Sequence, residues 1–333
     1  MLLWGVHMVQ TAVQRAFGAK LRLMLAAALR SRVRAFAAGL GITAIVQSST
    51  ATGLMITGFV AAGLVDLVPA LAVMLGANVG STLILQVLSF NVTRVAPALV
   101  LIGLLMFRRA AAATRDLGRA FIGLGLMLLA LHQLLSLFTA FENVPSFSLL
   151  LHAVAAYPLV DVILAAILTW AAHSSVAVVL LVMSFAARGM VTPEAAFALV
   201  LGANLGSAVN PCLEGAAGDD PAAKRLPIGN LVNRVVGVAV ALAVLGPASR
   251  LIGMIDATPA RAVADFHTAF NLVVALVFFP LLPLYARALR QILPARVNEA
   301  DPSRPLYLDP AAQESPVVAL GAAAREALRL ADL

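Results

Sequence analysis

The chain has 333 residues, of which 62% are hydrophobic and 12% charged, with a formal net charge of +7. A soluble domain carries about 25% charged residues, so about half that share in so apolar a chain excludes a water-soluble globule and makes lipid the solvent. Nucleic-acid binding is excluded as well, because the basic clusters 15–34, 108–119 and 287–304 flank apolar spans and form no continuous basic face.

In chain order, residues 1–13 lack the basic start and small-residue cleavage site of a signal peptide. No ionisable residue lies between Arg34 and Asp66 or between Asp66 and Arg94, and each gap exceeds the roughly 20 residues that cross a bilayer core. As one helix, 36–65 would be about 45 Å long against a core of about 30 Å. With Gln47–Thr52 polar in its middle, it is predicted to be broken or re-entrant. Residues 67–90 repeat that theme around Gly76, Asn78 and Gly80, and 97–107 and 121–138 are simpler spans. In the second half 149–170 is a span carrying Asp161. Segments 174–186 and 195–209 copy the earlier pair, with Asn210-Pro211 expected to end the latter, and 235–245 and 262–284 are further spans. Residues 303–333 turn polar, with Pro305, Pro310 and Pro316 before a helix-like stretch 317–330. Leu320, Ala324, Leu328 and Ala331 share one face of it.

Short basic loops stay in the cytoplasm, so the three clusters are placed inside and 138–149, with Glu142 and no base, outside. The expected class is an all-α, multi-pass protein of the cell membrane with two inverted repeats and a cytoplasmic C-terminus. A transport domain would cover 1–286, with repeats at about 36–107 and 162–246, followed by a tail at 287–333.

The repeat is countable. Laid without a gap over 169–208, residues 43–82 match at 17 of 40 positions, where chance in such a composition gives about a tenth, so the duplication is real. It pairs Gln47-Ser48-Ser49-Thr50 with His173-Ser174-Ser175-Val176. It also pairs Gly76-Ala77-Asn78-Val79-Gly80-Ser81 with Gly202-Ala203-Asn204-Leu205-Gly206-Ser207. Isolated small and hydroxyl residues in membrane helices usually serve close packing. Matched polar breaks in two halves point instead to a transporter binding site.

Neither serine cluster has an Arg or Lys nearby in sequence, so an anion there would depend on a helix N-terminus. Its unpaired N–H groups and dipole attract oxyanions, and Ser and Thr both cap the helix and donate O–H. Gln47, Ser48, Ser49, Thr50, His173, Ser174 and Ser175 are the candidate anion ligands. The absence of a core cation would be made good by a co-transported one. Sodium takes hard oxygen ligands at helix breaks, and Thr52, Asn78, Ser81, Thr82, Asn204 and Ser207 are the candidates. Asp161 is a further intramembrane acid.

Gln47-Ser48-Ser49-Thr50-Ala51-Thr52 resembles the QSSSAT motif of the sodium-dependent phosphate (type II Na/Pi) cotransporter family. Gly76–Thr82 resembles the GANIGTT that follows it there, and Phe266-His267-Thr268-Ala269-Phe270-Asn271 the family's FHTxFN. The tail from Leu308 is similar to the start of a PhoU-like helical domain. The resemblance implies sodium-coupled uptake of inorganic phosphate by alternating access, with sodium as coupling ion and no other cofactor or metal. It leaves room for a homodimer and for a cytoplasmic regulatory partner acting through the tail. His173 replaces the family's glutamine, Val176 its third serine, and Ala208 the last hydroxyl of the second glycine motif. Export, another small oxyanion, or a phosphate sensor without transport are the alternatives. An enzyme is not expected: the chain has no P-loop, no H-E-x-x-H and no G-x-S-x-G. Cys212 is its only cysteine, which rules out an internal disulfide.

Overall fold

A computed structural model describes residues 31–61, 63–89, 95–109, 111–139, 157–214, 221–255, 258–295 and 316–331, with a few isolated positions beside them. All regular structure among the described residues is helical. The first half holds α1 (Arg32–Val46), α2 (Ser49–Ala61), α3 (Leu67–Ser89), α4 (Ala96–Phe107) and α5 (Ala112–Thr139). The second holds α6 (Pro158–Ala172), α7 (Ser175–Ala187), α8 (Pro193–Glu214), a 3-10 turn Pro221–Lys224, α9 (Arg225–Ala243), α10 (Leu245–Ile255) and α11 (Pro259–Ile292). The tail helix is α12 (Pro316–Ala331).

The duplication extends to the backbone. α6, α7 and α8 start 126 residues after α1, α2 and α3, and α6 and α7 end 126 residues after α1 and α2. The local causes recur too. α2 and α7 both end in a turn that needs a left-handed residue, supplied by Gly63 (φ 64°) and Gly189 (φ 66°). Gly63 N–H bonds Val60 O and Leu64 N–H bonds Phe59 O; Gly189 N–H bonds Ala186 O and Met190 N–H bonds Phe185 O. That double closure satisfies the last carbonyls of each helix.

Packing repeats in the same register. A methyl group on Gly76 or Gly80 would run into the carbonyls of Phe36 and Leu40. On Gly202 or Gly206 it would run into those of Val162 and Ala166. So α1 lies backbone to backbone on α3, and α6 on α8, the contact that small residues permit in membranes. α3 and α8 form the centre: Leu71, Met74, Leu75, Phe197 and Leu201 are fully buried. Each also packs against the short helix of the other half, α8 on α2 and α3 on α7. Leu101 and Leu105 on α4, Ile163 and Ile167 on α6, and Leu272 and Leu276 on α11 are exposed, an apolar exterior that suits lipid.

Among the described residues, Leu67–Val87, Pro193–Leu213, Pro221–Ala243 and Pro259–Ile292 are long and apolar enough to cross a membrane, by length and composition. The chain is an all-α membrane protein.

Several expectations change. α3 is continuous, because Gly76 and Gly80 serve close packing and leave the helix intact. α8 runs through Pro211 to Glu214, since a proline in the last turn removes a single helical hydrogen bond. α5, α9 and α11 start before the apolar runs that announced them. Apolar length marks immersion in lipid, while a helix continues through polar residues that find partners, such as Arg119 on Asp116 at 2.7 Å in α5. α6 begins at Pro158, and 149–156 lies outside the described residues, as do 1–3 and 140–156. On α12 the predicted face is the outer one: Leu320 and Leu328 are exposed, whereas Val318, Ala322 and Glu326 are buried.

Candidate functional site

Both breaks fall at the polar clusters. Gln47 (φ 58°, ψ 26°) closes α1 and His173 (φ 50°, ψ 25°) closes α6. They are the non-glycine residues of positive φ among the described residues. A left-handed residue with a side chain costs about 1–2 kcal/mol, so keeping it at equivalent positions of both halves marks a shape that the breaks require. The next residue opens the following helix. Ser48 Oγ accepts from Ala51 N–H at 3.1 Å, and Ser174 Oγ accepts from Ala177 N–H at 3.2 Å. The other N–H groups of each first turn have no acceptor within the helix. Ser49 and Ser174 are buried, Gln47, Ser48, Thr50 and Ser175 partly so, and His173 is exposed.

The two breaks differ in their hydroxyls. Thr43 Oγ1 donates to Thr52 Oγ1 at 2.8 Å, and Thr52 Oγ1 donates to Ser48 O at 3.1 Å. In the second half Val178 stands where Thr52 does, and Thr169, the counterpart of Thr43, is left with its buried Oγ1 unpartnered. His173 instead reaches sideways, its Nδ1 accepting from Asn210 Nδ2 at 3.1 Å. Residue 211 then sets the second break beside the first, since a methyl on Gly53 would sit 3.5 Å from Pro211 Cγ. Residues 210–211 of α8 therefore link His173 to the first helical turns of α2.

The other sodium candidates lie on α3 and α8. Ser81 Oγ donates to Asn78 O, Thr82 Oγ1 to Val79 O, and Ser207 Oγ to Asn204 O, each at 2.8 Å. Their hydroxyl protons are thus spent on their own helices and their oxygens remain as acceptors. Asn78 and Asn204, equivalent in the repeat, both turn to α9. Asn78 Nδ2 donates to Asn230 Oδ1 at 3.0 Å, and Arg234 Nη1 donates to Asn204 Oδ1. Residues 230 and 234 are one helical turn apart, so a single face of α9 meets both glycine motifs. α11 completes the cluster: Asn271 Nδ2 donates to Asn204 Oδ1 at 3.0 Å and to His267 O at 2.8 Å. Phe266 stacks on Phe197 with ring centroids 4.2 Å apart.

Arg234 overturns one expectation. The core was expected to hold no basic residue, yet this arginine is 2% exposed. The predicted span 235–245 stops just short of it, because an apolar run is bounded at a charge. The readable signal is Asn230, Asn233 and Arg234 at i, i+3 and i+4, one polar stripe on an otherwise apolar helix. Asp161 lies in the first turn of α6, 1% exposed, with Oδ2 unpartnered.

A family model described as Na+/Pi-cotransporter matches residues 1–136 and 141–275. The chain is 37% identical over all 333 residues to proteins of Salmonella typhimurium and Escherichia coli K12 named "Putative inorganic phosphate export protein YjbB". It spans 61% of the length of those relatives. It is also 30% identical over 264 residues to "Uncharacterized protein YqeW" of Bacillus subtilis, covering 79% of this chain and 86% of that one. No solved structure matches the chain.

Proposed function

Because the chain belongs to the Na+/Pi-cotransporter family, a family of transporters and not of enzymes, we propose that it carries inorganic phosphate across the cell membrane. The observation that supports this most is the pair of serine-capped helix starts at matched breaks, Ser48 on α2 and Ser174 on α7. A helix N-terminus offers N–H donors and a positive dipole end to an oxyanion. Gln47, Ser49, Thr50, His173 and Ser175 flank the two starts. Sodium, the coupling ion in this reading, would take oxygen ligands from Thr52, Asn78, Ser81 and Thr82, with Asn204 and Ser207 as their counterparts. The names of the YjbB relatives favour net export, and gradients of the two ions set the direction.

We place the repeats in opposite orientations, with α12 in the cytoplasm. Cysteines introduced at Arg115 and Asn143, in a Cys212→Ala background, are then labelled by an impermeant reagent from opposite sides. Labelling from one side overturns that topology.

Flux of labelled phosphate through proteoliposomes, with sodium present on either side or absent, tests the function. Sodium-stimulated flux supports the reading. Phosphate binding with no flux in either direction turns it into a sensor, and neither binding nor flux removes phosphate altogether.

A further inference from the structure

The buried arginine on α9 has more to do than hold Asn204. It is enclosed by amides: Asn204 accepts from it, Asn271 donates to the same oxygen, and Asn230 lies one turn away. Its hydrogen bond to Asn204 leaves Nε without a partner. Among the described residues no carboxylate forms an ion pair with it. A charge taken out of water is retained only where something pays its desolvation, normally a counter-charge with hydrogen bonds. Here the described residues supply one neutral oxygen.

A second buried polar atom of this cluster also lacks a partner. His267 Nδ1, on the α11 turn that holds Asn271, is buried and unpartnered. A guanidinium presents a planar fork of five N–H donors that matches a phosphate better than an amide. In the first repeat the equivalent asparagine, Asn78, meets the neutral Asn230 instead. The two glycine motifs therefore face one helix with unequal charge.

We infer that Arg234 is an anion-binding residue: the fixed cation that receives phosphate on the side of the second repeat, where the first repeat offers neutral groups. The inference builds on the phosphate reading above and gives it a residue that neither serine cluster contains. The empty site carries a permanent positive charge, and arrival of the anion neutralises it.

Phosphate binding by the purified full-length protein, read as phosphate-induced protection against heat, tests this with three variants. Arg234→Gln is expected to bind phosphate at least about tenfold more weakly. It should also lose the gain in affinity expected of the wild type as phosphate takes on its second negative charge. Arg234→Lys, which keeps the charge without the fork, should bind more tightly than Arg234→Gln. Asn204→Asp sets a carboxylate where the guanidinium now donates, leaving the arginine buried and paired, and should weaken phosphate binding too. Wild-type affinity and an unchanged pH profile in Arg234→Gln overturn the inference. If that variant does not fold, undiminished binding by Asn204→Asp overturns it equally. A wild-type protein that binds no phosphate overturns the phosphate reading itself, whatever the variants do.

Discussion

The two halves share a backbone and differ in their chemistry. The residues that set shape recur at the same offset: a left-handed residue at Gln47 and His173, a serine cap at Ser48 and Ser174, a glycine turn at Gly63 and Gly189, and glycine on carbonyl at Gly76 and Gly202. The residues that set polarity do not. Thr52 becomes Val178, Gln47 becomes His173, and Asn204 meets an arginine where Asn78 meets an amide. Duplication preserved a frame and left its two faces free to specialise. One half keeps a pair of linked hydroxyls; the other keeps a charge.

If the frame is common, breaking it must hurt both halves alike, and this is the largest effect expected. Gly76→Ala and Gly202→Ala each force a methyl against a neighbouring carbonyl. Both should lose at least about 2 kcal/mol of stability, seen as a fall in the thermal midpoint in detergent. A large loss in one half only would show that the packing is not equivalent.

The caps come next. Ser48→Ala and Ser174→Ala each remove a helix-capping bond worth about 1 kcal/mol. On the proposed reading they also weaken phosphate affinity several-fold, while the protein still folds. Affinity unchanged in both variants would return the serines to a purely structural role.

The hydroxyl pair then separates the halves by sign. Thr52→Val breaks the contact with Thr43 and should cost about 1 kcal/mol. Thr169→Val removes a buried hydroxyl with no partner and should be neutral or stabilising by up to about 1 kcal/mol. Melting curves of the two variants suffice, and the idea fails if Thr169→Val is the more damaging.

The smallest effect concerns His173. Its ring accepts from Asn210 Nδ2 at 3.1 Å and sits at the residue before the Ser174 cap. His173→Gln is expected to weaken phosphate binding by about twofold to threefold at fixed pH, through loss of that contact. Unchanged affinity would make the histidine a structural substitute for glutamine.

Much of the frame was legible in the sequence, and for physical reasons. A polar cluster in an apolar run too long for one span has to interrupt the helix, so the break at Gln47 could be read directly, and the repeat carried it to His173. Glycine was ambiguous. The spacing that lets Gly76 and Gly80 admit another backbone is the same spacing that reads as a weak point, and α3 was wrongly expected to break. Arg234 stays hidden because it interrupts the apolar run that marks a span. Its partner Asn204 is 30 residues away in sequence, so only the folded chain shows what the charge meets.

The contact between α1 and α3, and its twin between α6 and α8, bears on how the molecule can move. Helices separated by side chains can slide, because rotamers give way between them. Here carbonyls lie against glycine Cα atoms, with no such bearing layer, so small displacements meet rigid backbone. Each pair should travel as one strut. Any rearrangement that opens a path to one side and then the other is left to the joints, Gln47-Ser48 and His173-Ser174, where the backbone has already abandoned the helix.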